Sequence, residues 1–164
     1  MHTYRIELDL PSDKDVFTCK TEIRFDAVPG ASTFIDAITS TVRSIELNGE
    51  QLDTSLADGE RITLPNLAAQ NVLVIDADMF YTNTGEGLHR FVDPVDGEVY
   101  LYSQFEVPDS RRVFPVFEQP DLKAEFEFIV RVPTPWVVVS NQPEVKIVPK
   151  DCGCGRAQTW YFKP

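Results

Sequence analysis

The stretch "VFTCKTEIRFDA", residues 16–27, decides the fold. Phe17, Cys19, Thr21, Ile23, Phe25 and Ala27 alternate with Val16, Thr18, Lys20, Glu22, Arg24 and Asp26. Successive side chains of an extended chain point to opposite faces, so this pattern makes one face largely apolar and the other wet. That is the signature of a half-buried strand.

The same alternation recurs outward from it. Residues 4–10 repeat it, and residues 124–132 set Ala124, Phe126, Phe128, Val130 and Val132 on a single face. Shorter strands are expected at 33–37, 42–47, 61–64, 72–78, 137–140, 144–148 and 158–162. Between them "VPGAS", "LNGEQ", "LADGE", "DPVDGE", "VPTPW" and "SNQPE" supply the Gly, Pro, Asn and Asp that let a chain reverse. Asp96-Gly97, between apolar runs at 88–92 and 98–105, predicts a hairpin with a longer loop. No segment sustains a helical period, and 120–125 offers one turn at most. Many short strands with frequent turns predict an all-β protein, an antiparallel sandwich or open barrel.

The chain has 164 residues, a length for one domain, 1–164. A compact domain of that size buries roughly 70% of its unfolded surface, enough for a core without staples. The charge balance, 15 − 26 = −11, makes it acidic. Such a surface repels phosphate backbones and anionic headgroups, which argues against nucleic acid and membrane as partners. No run approaches the roughly 18 apolar residues of a membrane span. "MHTYRIELDL" has no basic segment followed by an apolar core, so no secretory signal is expected within the chain. Three cysteines make no disulfide framework, and a reducing, cytoplasmic setting is the simplest expectation.

Most chemical motifs are missing. A catalytic zinc site needs three protein ligands, commonly two histidines one helical turn apart plus a carboxylate. Only His2 and His89 are present, neither in an HExxH. Cys152-Gly-Cys154 looks like half of a zinc or redox element, but no second pair completes it. A tight hairpin turn carrying two thiols is the reading it supports. Cys19 lies on the apolar face of its strand and acts as a small hydrophobe. No G-x-S-x-G elbow and no phosphate-cradling glycine loop occurs, "NTGEGLHR" having the wrong spacing.

One segment stands out, "YLYSQFEVPDSRRVFPVFEQPDLKAEF" at 100–126. If 99–106 is a strand, Tyr100, Tyr102, Gln104 and Glu106 share a face, and Gln104 and Glu106 stand about 6.5–7 Å apart. An amide oxygen beside a carboxylate can grip an ammonium group, since both accept hydrogen bonds and one is charged. The pattern leaves open a second reading, in which Glu106 pairs at the surface with Arg111 or Arg112.

The same segment resembles the signature of the N-terminal β domain of the aminopeptidase N family of zinc metallopeptidases. Members typically carry a Gln-x-Glu or related element, then an Arg, "FPCFDEP", "KA" and a strand. Gln104-Phe105-Glu106, Arg112, "FPVFEQP" from Phe114 to Pro120, and Lys123-Ala124 occupy those places here. "YRIELDL", "YTNTGEGLHRFVDPVDGEVYLYSQFE" and "WVVVSNQPE" extend the similarity over essentially the whole chain and resemble the actinobacterial branch. Glu118-Gln119 replaces the Asp-Glu of many relatives, within what reads as a structural turn.

The resemblance implies a saddle-shaped β domain that packs on a thermolysin-like catalytic domain. It implies that Gln104 and Glu106 reach into the active site to bind the substrate's free α-amine. The family's HExxH helix, downstream glutamate ligand, G-x-M-E-N segment and catalytic tyrosine do not occur in this sequence. The expectation is therefore an isolated domain with no catalytic residue and no metal ligand of its own. Zinc, the peptide-cleaving chemistry and the docking partner would belong to the parent enzyme. The alternative is a free-standing β-sandwich binding or adhesion module using Tyr100 and Tyr102. A two-carboxylate glycosidase built on Glu106 and Glu118 has only the abundance of acids behind it.

Overall fold

The computed structural model describes residues 1–106, 108–152 and 155–164, with backbone only for 150–152 and 155. Twelve strands follow one another: β1 (Thr3–Asp9), β2 (Val16–Asp26), β3 (Thr33–Asp36), β4 (Thr39–Leu47), β5 (Glu50–Leu52), β6 (Arg61–Leu64), β7 (Gln70–Phe80), β8 (Gly87–Val92), β9 (Val99–Gln104), β10 (Glu125–Pro133), β11 (Glu144–Cys152) and β12 (Gly155–Phe162). Two short 3-10 turns, Thr54–Leu56 and Ser110–Arg112, are the only helical pieces among the described residues. None is long and apolar enough to cross a membrane.

Eight strands form one sheet in the order β11-β12-β10-β1-β2-β7-β4-β5, while β3-β6 and β8-β9 make two-stranded sheets. The all-β class is as the alternation predicts, and the large sheet does not close into a barrel. Antiparallel pairing is corrected at one place, because β1 and β10 run parallel, with Tyr4 opposite Phe126 and Leu8 opposite Val130. Side-chain alternation reports which face a residue takes, not the direction of its neighbour. More than a hundred residues separate this pair, so no tight turn dictates an antiparallel arrangement.

The alternation at 16–27 sorts as expected: Phe17, Cys19, Thr21, Ile23 and Phe25 are buried. Across β2, the buried set Leu73, Ile75, Ala77 and Met79 of β7 continues the same core, and Tyr4, Ile6 and Leu8 of β1 extend it the other way. Ile35, Ile62 and Leu64 of the β3-β6 sheet, Leu88 of β8, and Val113, Phe114 and Val116 of the loop before β10 complete the cluster. The buried amide of Asn71 is bonded, as its desolvation demands. The Asn71 amide accepts from Ala68 N (2.9 Å) and Asn48 Nδ2 (3.0 Å) and donates to the Ala68 carbonyl (2.8 Å).

One further expectation is corrected. Residues 137–140 are not a strand: the chain there is extended, but 137–142 make no backbone–backbone hydrogen bond among the described residues. Prolines 133, 135 and 143 bracket the segment, and each removes a donor that a ladder would use. At 120–125, where one turn at most is expected, the chain makes a turn and no helix, with Leu122 N donating to the Gln119 carbonyl at 3.0 Å, and Glu125 already begins β10. The reading of Cys152 and Cys154 as a hairpin turn falls outside the described residues.

Candidate functional site

The candidate site lies where β9 runs out. β8 and β9 form the predicted hairpin, with Gly87 opposite Gln104, His89 opposite Tyr102 and Phe91 opposite Tyr100. Gln104, Tyr102 and Tyr100 therefore share one face of β9, as the alternation predicts. The strand ends at Gln104, however, and Glu106 lies in a turn rather than on that face. The physical cause is visible on both sides of the hairpin. Gly87 takes a left-handed conformation, φ 65°, which turns β8 away and leaves the ladder no partner past Gln104. Beyond it the Gln104 side chain takes over, its Oε1 accepting the Glu106 N–H at 2.7 Å.

Phe105, between the two polar residues, fixes how they are presented. Its ring meets Phe114 edge-on at 5.7 Å, and Phe114 in turn packs on Phe128 at 5.8 Å and Phe126 at 6.3 Å. This aromatic cluster ties the end of the hairpin to β10, with edge-to-face pairs each worth roughly 0.5–1.5 kcal/mol beyond their burial. Tyr4 anchors the same loop from below, its ring stacked on Phe126 at 4.6 Å and its hydroxyl accepting the Phe117 N–H at 3.1 Å. With Phe105 drawn inward, Gln104 and Glu106 are left exposed.

The arginines that could have neutralised Glu106 are engaged elsewhere. Arg112 Nε donates to Asp109 at 2.7 Å, and Arg111 faces Asp36 at 3.8 Å. The Glu106 carboxylate has no hydrogen bond or ion pair among the described residues. The surface pairing left open by the sequence is therefore not formed. Glu118, by contrast, is spent on structure, accepting from the Arg111 N–H at 2.7 Å and from the Ser110 hydroxyl. It cannot serve as a second free carboxylate.

A brace that the pattern did not reveal holds Gln104 in place. A Cβ built on Gly87 would lie 2.7 Å from Arg112 Cβ and 3.2 Å from its Cδ, so β8 packs directly on the 3-10 turn. Asp109 precedes that turn and holds the guanidinium. Counting back from an Asp96-Gly97 turn would set His89 across from Gln104; the loop is instead centred between Val95 and Asp96, which brings Gly87 there.

Among the described residues no group of three or more His, Cys, Asp or Glu could hold a metal. The zinc implied by the resemblance has no set of ligands among the described residues. His89 is a hairpin residue, as expected, with its ring stacked on Tyr102 at 4.7 Å. Cys19 is wholly buried, and burial pushes its thiol up to about 12, which makes it inert as a nucleophile.

Comparison with known proteins agrees with the resemblance. Residues 1–164 match the family described as Peptidase M1 N-terminal domain. An Aminopeptidase N of Streptomyces lividans is 50% identical over 99% of this chain and 19% of its own length. A Probable aminopeptidase 1 of Saccharolobus solfataricus is 27% identical over 69% of this chain and 14% of its own. An Aminopeptidase M1-B of Oryza sativa is 26% identical over 73% and 16% respectively. The chain spans about a fifth of the length of the Streptomyces relative it matches. It belongs to the M1 peptidase family, as that family's N-terminal domain.

Proposed function

We propose that this chain, as a single domain, is the amine-anchoring part of a zinc-dependent aminopeptidase that removes N-terminal residues from peptides. The zinc and the residues that activate water belong, in this reading, to a thermolysin-like catalytic domain of the full-length protein. Gln104 and Glu106 bind the substrate's α-ammonium group and form part of the pocket wall. A cytoplasmic setting is part of the same proposal.

The observation that carries it is an exposed, uncompensated carboxylate two residues from an exposed amide, held by a half-buried phenylalanine between them. A Glu carboxyl ordinarily titrates near 4.3 and an α-amine near 7.7–8.0, so around neutrality the two attract as ions. Gln104 Oε1 has one lone pair committed to the Glu106 N–H and one left to accept from the ammonium. Once a docked partner excludes water, a charge-assisted bond of this kind contributes roughly 1.5–3 kcal/mol. Requiring a free amine at a fixed place selects a chain end over an internal peptide bond.

The test is Glu106→Ala in the full-length protein, assayed on a free-amine substrate and its amine-blocked counterpart. The expected loss in kcat/KM on the free amine is about tenfold or more, from one lost charge-assisted contact. An unchanged value removes Glu106 from the site.

A further inference from the structure

Next to the proposed anchor, the hairpin displays an ordered pair of rings that serves no core. Tyr102 is 53% exposed, yet its ring is held, stacked on His89 across the strand pair with centroids 4.7 Å apart and planes 28° apart. His89 is itself fixed, because its Nδ1 accepts the Gly85 N–H at 3.1 Å. Gly85 also closes over the edge of the pair, since a Cβ built there would lie 3.8 Å from the Tyr102 hydroxyl oxygen. Tyr102 and Gln104 are two residues apart on one face of β9, so the shelf begins about 6–7 Å from the anchor. Phe91 and Tyr100, opposite each other on the next rung, continue it away from Gln104.

We infer that the Tyr102–His89 pair is a specificity-determining shelf, on which the side chain of the substrate's first residue lies when that residue is aromatic or large and aliphatic. The inference rests on the amine-anchoring reading. An ammonium held at Gln104 and Glu106 puts the first side chain beside the anchor. A methyl group is too short to cross to Tyr102; a benzyl or isobutyl group reaches it. Because stacking has already ordered the ring, the contact needs no further ordering of Tyr102 on binding. Tyr102 makes the contact, and His89 positions it.

The experiment uses the full-length protein with phenylalanyl- and alanyl-p-nitroanilide, reading the ratio of their kcat/KM values. Tyr102→Ala is expected to lower the phenylalanyl-to-alanyl ratio by roughly threefold to tenfold, the worth of one aromatic contact. Tyr102→Phe keeps the ring and should hold the ratio. His89→Ala, which frees the ring without removing it, should give a smaller fall carried mostly by KM. A ratio that stays within about twofold in Tyr102→Ala overturns the shelf. Glu106→Ala, run in parallel, lowers both substrates alike. If it has no effect while Tyr102→Ala shifts the ratio, Glu106 is not the anchor, and the contact with Tyr102 is carried by the ratio alone; the reverse outcome sinks the shelf and leaves the anchor.

Discussion

Replacing Gly87 by alanine tests whether the hairpin is braced against the Ser110–Arg112 turn. Two costs are separable. The left-handed backbone, φ 65°, strains any residue with a Cβ by roughly 1–2 kcal/mol. The new methyl also meets Arg112 Cβ at 2.7 Å, closer than carbon atoms approach, and that atom is attached to backbone rather than carried at the end of a flexible chain. Forcing a methyl into such a contact costs roughly a further 1–3 kcal/mol. The sum, about 2–5 kcal/mol, corresponds to a fall of about 4–20 °C in Tm for a chain of this size. Gly49→Ala is the control, because its φ is 86° and nothing lies within 4 Å of the added Cβ. It should show the strain alone. Arg112→Ala should not rescue Gly87→Ala, since it keeps the offending Cβ. Urea and thermal unfolding of the single and double variants give the comparison. If Gly87→Ala costs no more than Gly49→Ala, the 3-10 turn yields to the methyl and the brace does not exist.

Two other expectations concern the core. Asn71→Ala leaves the Ala68 N–H and carbonyl and the Asn48 amide without their partner, and should cost roughly 2–4 kcal/mol in urea unfolding, against near-zero for an exposed residue such as Gln70→Ala. Stability should also fall in alkali. Burial raises the Cys19 thiol from 9.0 to about 12 and the Tyr4 phenol from 10.0 to about 12, so the folded chain keeps protons that the unfolded chain releases. Their contribution is complete below pH 9 and drains away as pH climbs toward 12. Cys19→Ala should flatten the early part of that decline, and an unaltered profile would remove the thiol as its cause.

How much of this was legible beforehand follows from what alternation encodes. It fixes a residue's face relative to its own neighbours, so Phe17 through Phe25 and Tyr100 through Gln104 were sorted correctly from sequence. It carries no information about who lies alongside, which is why it does not reveal the parallel β1-β10 pair and why the Val-rich run at 137–140 reads as a strand. That run has strand composition but no ladder among the described residues, and composition cannot supply a ladder.

The site divides along the same line. Residue type and spacing make Gln104 and Glu106 a pair able to grip an amine but leave surface pairing open; only the resemblance to the aminopeptidase family singles them out. Whether Glu106 is available to do so depends on Arg111 and Arg112, which lie only five and six residues further on and would by proximity seem its natural partners. Their engagement is decided by Asp36, more than seventy residues upstream, and by Asp109 at the head of the 3-10 turn. Asp36 reaches the loop because β3 bridges to Val116, with Asp36 N–H and carbonyl each bonded to Val116 at 3.0 Å. A long-range backbone contact thus draws one arginine away and a local cap occupies the other. Asp36→Asn leaves that backbone contact in place but removes the charge facing Arg111; it should free the guanidinium to turn to Glu106 and lower kcat/KM of the full-length protein on a free-amine substrate, and an unchanged value would refute this role for Asp36.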